Sequence, residues 1–355
     1  MRKLTAGLFG LSHPHAIAHL KTLNQSSWVD RVILFDESAD AIQRARETHG
    51  AKVVEGHTDL AHMLATDRPD FGIACFRNDL NAGLCLRLLS AGIPVISEKP
   101  IGHSVSSIES AVNAAKQAGV ILGVMYQNRY HPTSQEARKL VLGGAIGEVV
   151  ACESRMVTSQ VKFRNPQHWL FNGAISGGGI LSWLGCHYID LMTYVLGHDI
   201  TQVSATVDTL SGEQIDVEDV ATLSFRFSNG ALGSMQAGYH LAISGAGYMG
   251  PSYDTYMGFR GRLGRVFWEP TQTPAEIHLE SVAPDWKNAP QRSYTFGLPS
   301  VDAYGGAHGV AFLDDFIRAF QGEGPPPSTG MDALKVARVI EAAYRSSATG
   351  ARIDL

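Results

Sequence analysis

The spacing of apolar positions changes character along the chain. Up to about residue 126, short β-rich runs alternate with segments of helical period. The strand-like runs are LTAGLF (4–9), RVILF (31–35), KVV (52–54), FGIACF (71–76), PVIS (94–97) and VILGVMY (120–126). Helical periods fall at 15–24, 38–48, 58–65, 80–91 and 104–118, and Gly50, Gly92, Pro94 and Gly119 punctuate them. Strands alternating with helices predict a parallel sheet covered on both faces, with ligands beyond the carboxyl ends of its strands. From about residue 145 the period becomes two: EVVACESRMV (148–157), TQVSATVDTL (201–210), DVATLSFRF (219–227) and ALGSMQAGYH (231–240), then RVFW and EIHLE. Ser228-Asn229-Gly230 predicts a hairpin turn between two of these. The pattern predicts a mostly antiparallel sheet, one face covered by helices, another domain or another subunit. Two late helices are predicted at 309–320 and 331–347. The domains are set at 1–126 and 127–355, an α/β half followed by an α+β half built on a large open sheet.

Composition narrows the function classes. A net charge of −5 on 355 residues offers no electrostatic reason to bind nucleic acid or an anionic membrane. No apolar run reaches membrane-spanning length, and the N-terminal stretch lacks the apolar core of a signal peptide. Cys75, Cys85, Cys152 and Cys186 form no CxxC pair, so they read as reduced thiols of a cytoplasmic protein.

The first strand-to-helix turn reads GLFGLSHPHAIAH (7–19), a phosphate-binding glycine loop short of glycines. Gly10 suits the tight turn, Ser12 replaces the second glycine and His15 the third. The Ser12 hydroxyl is expected to cap the helix or donate to a phosphate, and Pro14 to open the helix. Asp36, 26 residues after Gly10, ends the second strand where a carboxylate would accept from both ribose hydroxyls and repel a 2′-phosphate. With Glu37 following, NAD is expected over NADP. His13, His15 and His19 raise a metal site, but no carboxylate or cysteine close in sequence completes a ligand set, so none is expected. His13 and, after the fourth strand, Asn78 join the expected cofactor contacts.

The fifth strand ends in PVISEKPIG, placing Glu98 and Lys99 where such sheets hold ligands. A cis Lys99–Pro100 bond would aim the lysine inward. These features, with AGIPVISEKP (91–100), NRYHP (128–132), SGGGILSWLGCHYID (176–190) and TGMDALKVARVIEAAYRSSATG (329–350), resemble the Gfo/Idh/MocA oxidoreductases along essentially the whole chain. The resemblance implies a Rossmann dinucleotide-binding domain at 1–126. It also implies a substrate-binding and oligomerisation domain at 127–355, forming a homodimer or homotetramer, and hydride exchange between a nicotinamide and a sugar or polyol. It gives Lys99 contact with the reacting hydroxyl, and places Glu98 and Lys99 at the cofactor. Two positions depart from the family: Asn81 where a histidine is frequent, and Trp183 where many members carry an aspartate that assists the histidine.

In GGGILSWLGCHYID the glycines are expected to bring backbone close to cofactor or substrate. In a straight helix Trp183, His187 and Asp190 share one face. His187 is the expected general acid/base. Asp190 either orients it or serves the core, and Trp183 either stacks on a sugar or packs. Arg155, Lys162, Arg164 and His168 read as an anion pocket for a charged substrate or as a solvated cluster. Tyr126, Arg129 and Tyr130 are expected to border the cleft, and the tyrosines of GYMGPSYDTY (247–256) to line it from a loop. Lys99 and His187 are expected to converge on one carbon. Three functions follow: an NAD-dependent dehydrogenase; a redox-neutral glycoside hydrolase or lyase working through a transient ketone; and a non-catalytic cofactor-binding sensor, which has no use for Lys99 and His187.

Overall fold

A computed structural model of the protein describes residues 3–243 and 252–355. The chain divides into two compact units, Met1–Tyr130 with Pro299–Leu334, and His131–Leu298 with Lys335–Leu355.

In the first unit, strands β1 (Leu4–Phe9), β2 (Val29–Phe35), β3 (Val53–His57), β4 (Phe71–Ala74), β5 (Val95–Ser97) and β6 (Leu122–Val124) alternate with helices α1 (Ala16–Gln25), α2 (Ala39–His49), α3 (Leu60–Thr66), α4 (Asn78–Ser90) and α5 (Val105–Ala118). Local chemistry sets the helix ends. Ser38 accepts from the Ala41 N–H, Asp59 caps α3, and Ser104 and Ser107 form a capping box on α5, which closes on Gly119 at φ 66°. All six strands are parallel, in the order β3-β2-β1-β4-β5-β6. This order reverses between β1 and β4, and the crevice at that switch point is where the fold binds dinucleotides.

In the second unit, α6 (Pro132–Leu142) leads into β7 (Val149–Ser159), the short α7 (Gly173–Ser176), a π-helical segment at Leu181–Gly185 and α8 (Cys186–Leu196). Strands β8 (Ile200–Asp208), β9 (Val220–Phe227), β10 (Leu232–Leu241), β11 (Tyr253–Gly261), β12 (Gly264–Trp268), β13 (Ala275–Ser281) and β14 (Gln291–Phe296) follow. Then come α9 (Gly306–Phe320), α10 (Gly330–Thr349) and β15 (Ile353–Asp354). The nine-stranded sheet runs β14-β13-β12-β11-β7-β10-β9-β8-β15. It is antiparallel except between β7 and β10, which pair in parallel. The Asn229-Gly230 turn joins β9 to β10, with Gly230 at φ 87°. Burial alternates strictly along β9 and β13, so one face is core and the other open. Helix α8 and the π segment before it cover the core face, with Met192 on Ser154 and Gly233, and Gly185 on Met235.

Residues Pro299–Leu334 lie with the first unit, whereas the sequence pattern assigns everything from 127 to the second domain. The cause is α9. Phe316 and Phe320 pack on Phe71 at 6.3 and 5.5 Å, Ser26 donates to Asp314 at 2.6 Å, and the Tyr304 N–H donates to the Thr22 hydroxyl at 2.8 Å. A fully buried ring such as Phe316 contributes about 1.5–3 kcal/mol.

Candidate active site

At the switch point Gly10 adopts φ 100°, and a Cβ there would lie 2.4 Å from the Cys75 carbonyl oxygen. Only glycine passes, which accounts for the one glycine that the turn keeps. The buried Asp36 carboxylate accepts from the Leu11 N–H at 2.7 Å and the Ser38 N–H at 2.9 Å. It therefore fixes the glycine loop as well as ending β2, and each oxygen keeps a lone pair for a ribose hydroxyl. This donor set and the side-chain-free crossing at Gly10 fit a dinucleotide. Ser12 does not cap α1. It is exposed, and the helix starts at Ala16 from His15 with no side-chain cap, leaving Pro14 ahead of the helix.

Glu98 and Lys99 are wholly buried, at 1% and 0% exposure. Their turn is held from several sides: the Glu98 N–H donates to the Ala74 carbonyl, and the Ser97 hydroxyl to the Glu98 carbonyl. Asn81, at the position where the family often has histidine, donates to Ser97 Oγ and the Ile101 carbonyl and accepts from the Phe76 N–H. It ties the end of β4 to the turn after β5. The Lys99–Pro100 bond is cis.

The Glu98 carboxylate accepts from the Lys99 N–H at 2.5 Å, from His15 Nδ1 at 2.5 Å and from His19 Nε2 at 3.3 Å. Burial alone would raise its pKa, but His15, His19 and the Lys99 ammonium outweigh burial and hold it well below the usual carboxylate range. Burial depresses His15, and His13 further, Glu98 opposing only in part. Both rings are thus neutral at neutral pH. An ionised carboxylate only accepts, so the protons sit on His15 Nδ1 and His19 Nε2. His13 Nδ1 accepts from the His15 N–H at 3.1 Å, which puts the His13 proton on Nε2. Tyr304 covers His15 and His19 at 4.7 and 4.6 Å between centroids.

The sequence showed no carboxylate near these histidines; the fold brings one from 83 residues away. His13, His15 and Glu98 offer ligand atoms within 4.8 Å of one another. The 2.5 Å His15–Glu98 contact is nevertheless a hydrogen bond, since two ligands sharing one tetrahedral zinc ion stand ~3.4 Å apart. Cys75 is inert here: burial, then Glu98, pushes its thiol well up.

Asn78 is buried at the first turn of α4 and Tyr126 is buried just past β6. Arg129 is tied into the unit's own packing, paired with Asp332 at 3.2 Å and donating to the Pro327 carbonyl at 3.1 Å. Tyr130 donates to Asp315 at 2.5 Å and meets Phe312 edge-on. Both side chains are thus held by α9, the first turn of α10 and the segment between them.

In the second unit the GGG helix departs from the expected straight α-helix. Leu181–Gly185 is π-helical, a form common at functional sites, and its i→i+5 bonding breaks the Trp183–His187 spacing of a regular face. His187 and Asp190 both lie within α8, three residues apart on one face, and both are buried. Trp183 is buried and meets Trp169 edge-on at 6.4 Å. The glycines serve packing: a Cβ at Gly178 would lie 2.1 Å from the Tyr344 hydroxyl oxygen, and one at Gly179 1.9 Å from the Glu218 carbonyl oxygen. Glu218, which the sequence reading missed, accepts from Gly179 N–H, Leu181 N–H and the Tyr344 hydroxyl. It anchors the helix start, and burial raises its pKa. The signal was an acidic pair, Glu218-Asp219, at the entry to an apolar strand.

The four candidate anion-binding residues are dispersed. Arg155 pairs with Asp254 at 2.8 Å on the open sheet face, and Lys162 is exposed over Phe163. Arg164 is buried, donating to Ser159 and Thr158 and standing 5.2 Å from the Tyr239 centroid. His168 caps the turn at Trp169–Phe171 through Nδ1, and burial lowers its pKa. Tyr253 and Tyr256 belong to strand β11 rather than to a loop; Tyr248 lies outside the described residues.

The family model described as oxidoreductase family, NAD-binding Rossmann fold, matches residues 5–126, and that of the GFO/IDH/MocA C-terminal domain matches 134–250. The chain belongs to this family. It is an NAD-dependent oxidoreductase of the Gfo/Idh/MocA type. It is 27% identical over 322 residues to inositol 2-dehydrogenase of Rhizobium meliloti, covering 89% of this chain and 90% of the relative. It is 24% identical over 323 residues to levoglucosan dehydrogenase of Pseudarthrobacter phenanthrenivorans, covering 81% of each. Among solved structures, levoglucosan dehydrogenase in complex with NADH and levoglucosan superposes with a TM-score of 0.87 at 20% identity, over 99% of both chains. Among the described residues no helix is long and apolar enough to cross a membrane.

Proposed function

We propose that this family member oxidises a secondary hydroxyl of a sugar, sugar derivative or polyol with NAD. The observation that carries the reading is the buried lysine beside an ionised carboxylate at the end of β5, where a parallel sheet of this order presents its ligands. The names of the relatives supply the substrate class. Bound NAD supplies the hydride acceptor, in the balance R2CHOH + NAD+ → R2C=O + NADH + H+. In this reading the Lys99 ammonium stabilises the developing alkoxide, His187 takes the hydroxyl proton, and Asp190 orients the imidazole from the same helix face. Gly10, Ser12, His13, Asp36, Asn78 and Glu98 contact the cofactor. Asp36 selects NAD, because a 2′-phosphate would meet its carboxylate. Tyr126, Arg164, His168 and Trp183 shape the substrate pocket, and Arg164 favours an anionic group. A second copy covers the open face of the nine-stranded sheet. Four free, buried thiols support placement in the cytoplasm, which cell fractionation checks.

The test is a panel of sugars, polyols and glycosides with NAD or NADP, read at the absorbance of reduced nicotinamide. Reduction of NAD by a sugar or polyol is expected, with NADP markedly poorer. Aglycone released without net NADH, or saturable NAD binding with no turnover, overturns the reading. Lys99→Ala should lose at least about 100-fold in kcat, within the range of a positioned proton-transfer group, while NAD affinity holds.

A further inference from the structure

The glycine loop lacks its later glycines, and the structure suggests what the replacements do. His15 stands at the third glycine position, yet its side chain turns to Glu98, 83 residues on. We infer that His15 and His19 are positioning residues for Lys99, acting through Glu98 as a clamp between α1 and the turn after β5. The inference rests on the proposed role of Lys99.

Every group facing the clamp serves it. His15 donates at 2.5 Å and His19 at 3.3 Å, from successive turns of one helix. The third donor is the backbone N–H of Lys99 itself, at 2.5 Å, so the carboxylate is bonded directly to the residue it positions. His13 meets His15 edge-on at 5.1 Å and takes its backbone N–H, fixing the start of α1. Tyr304 lies over His15 and His19, and the Cys75 thiol lies near enough to feel both Glu98 and Lys99. A buried carboxylate left short of donors is destabilised in its charged form, and protonation is its simplest relief. Protonated Glu98 would no longer offset the Lys99 ammonium in a site without bulk water. The chain thus exchanges small loop residues for imidazoles that keep a carboxylate ionised below the lysine.

Removing the donors separates this role from cofactor binding. His15→Ala is expected to lower kcat at least tenfold, leave KM and NAD Kd within about threefold, and move the acid limb of the kcat profile to higher pH. His15→Asn restores an N–H where Nδ1–H stood and is expected to recover most of kcat and the original limb; His19→Gln does the same against His19→Ala. An unchanged pH profile in His15→Ala, or weakened NAD binding with normal kcat, overturns the clamp. So does a His15→Asn variant as slow as His15→Ala. Acid unfolding followed by fluorescence reads the clamp without any substrate. His15→Ala/His19→Ala should unfold at higher pH than His15→Asn/His19→Gln, a comparison in which both variants lack the imidazoles whose own protonation destabilises the fold and differ in the donors left to Glu98. No difference there rejects the clamp even if turnover is never found, whereas a difference without turnover rejects only the proposed reaction.

Discussion

At the scale of single residues, the buried histidines make acid stability a measurable property of the first unit. Burial lowers His13 and His15 below 6.5, so on acidification the unfolded chain binds protons before the folded one. Their contribution is full above pH 6.5 and is lost as pH falls through the folded values. Glu98, raised by burial but lowered more by its histidine and lysine neighbours, adds a second loss below 4.5. Each proton of difference contributes a slope of up to about 1.4 kcal/mol per pH unit. Urea unfolding between pH 8 and 4 should show stability falling from about pH 6.5 downward, and His13→Asn should make that fall shallower. An equally steep fall in the variant would show that His13 is not neutral in the folded state. The positions of Gly10, Asp36 and Lys99 at strand ends were legible in the sequence because each belongs to a short motif tied to such an end. The partners of Glu98 were not, since sequence distance hides a contact that strand order creates.

At the scale of elements, period and turn chemistry located the elements of the first unit and most of those of the second to within a few residues, and Asn229-Gly230 named its hairpin, while α6, β11, β14 and β15 went unread. The π segment was invisible because it is imposed from outside the helix. Glu218 binds two N–H groups at the helix start, and Gly179 passes against its backbone. Gly179→Ala should therefore destabilise the protein by about 1–3 kcal/mol, as overpacking does. Gly83→Ala makes the contrast: it sits exposed inside α4 with nothing within 4 Å of its Cβ, and should stabilise by about 0.5–1 kcal/mol. Chemical unfolding of both variants measures the pair. Equal effects of the two alanines would mean that the helix start yields, and that Gly179 is not needed for its shape.

At the scale of the whole molecule, the sequence showed that a helix spans 309–320 but not which sheet it covers, because an amphipathic face states that it packs and not on what. The same limit leaves the open face of the nine-stranded sheet without a stated neighbour. Its outward positions are polar or small at the centre, Thr222, Ser224, Ser234 and Gln236, with Val150 and Leu232 exposed at 44% and 52%. Several of its charges are paired within the chain, Arg155 with Asp254, Arg260 with Glu153, and Arg265 with Glu280 through two bonds, while Arg226 donates to the Gly230 carbonyl. Tyr256, Phe267 and His278 stack across three strands at 6.4 and 4.9 Å. A face most of whose charges are already paired presents little repulsion to an identical face across a two-fold axis, the commonest symmetry among homo-oligomers. Light scattering should then give a multiple of the 38.3 kDa chain mass at micromolar concentration. Ser234→Arg with Gln236→Arg sets like charges against each other across the axis, and should return the protein to 38.3 kDa with its circular dichroism unchanged. A wild type that already runs as a single chain leaves this face to water and removes the second copy from the proposal.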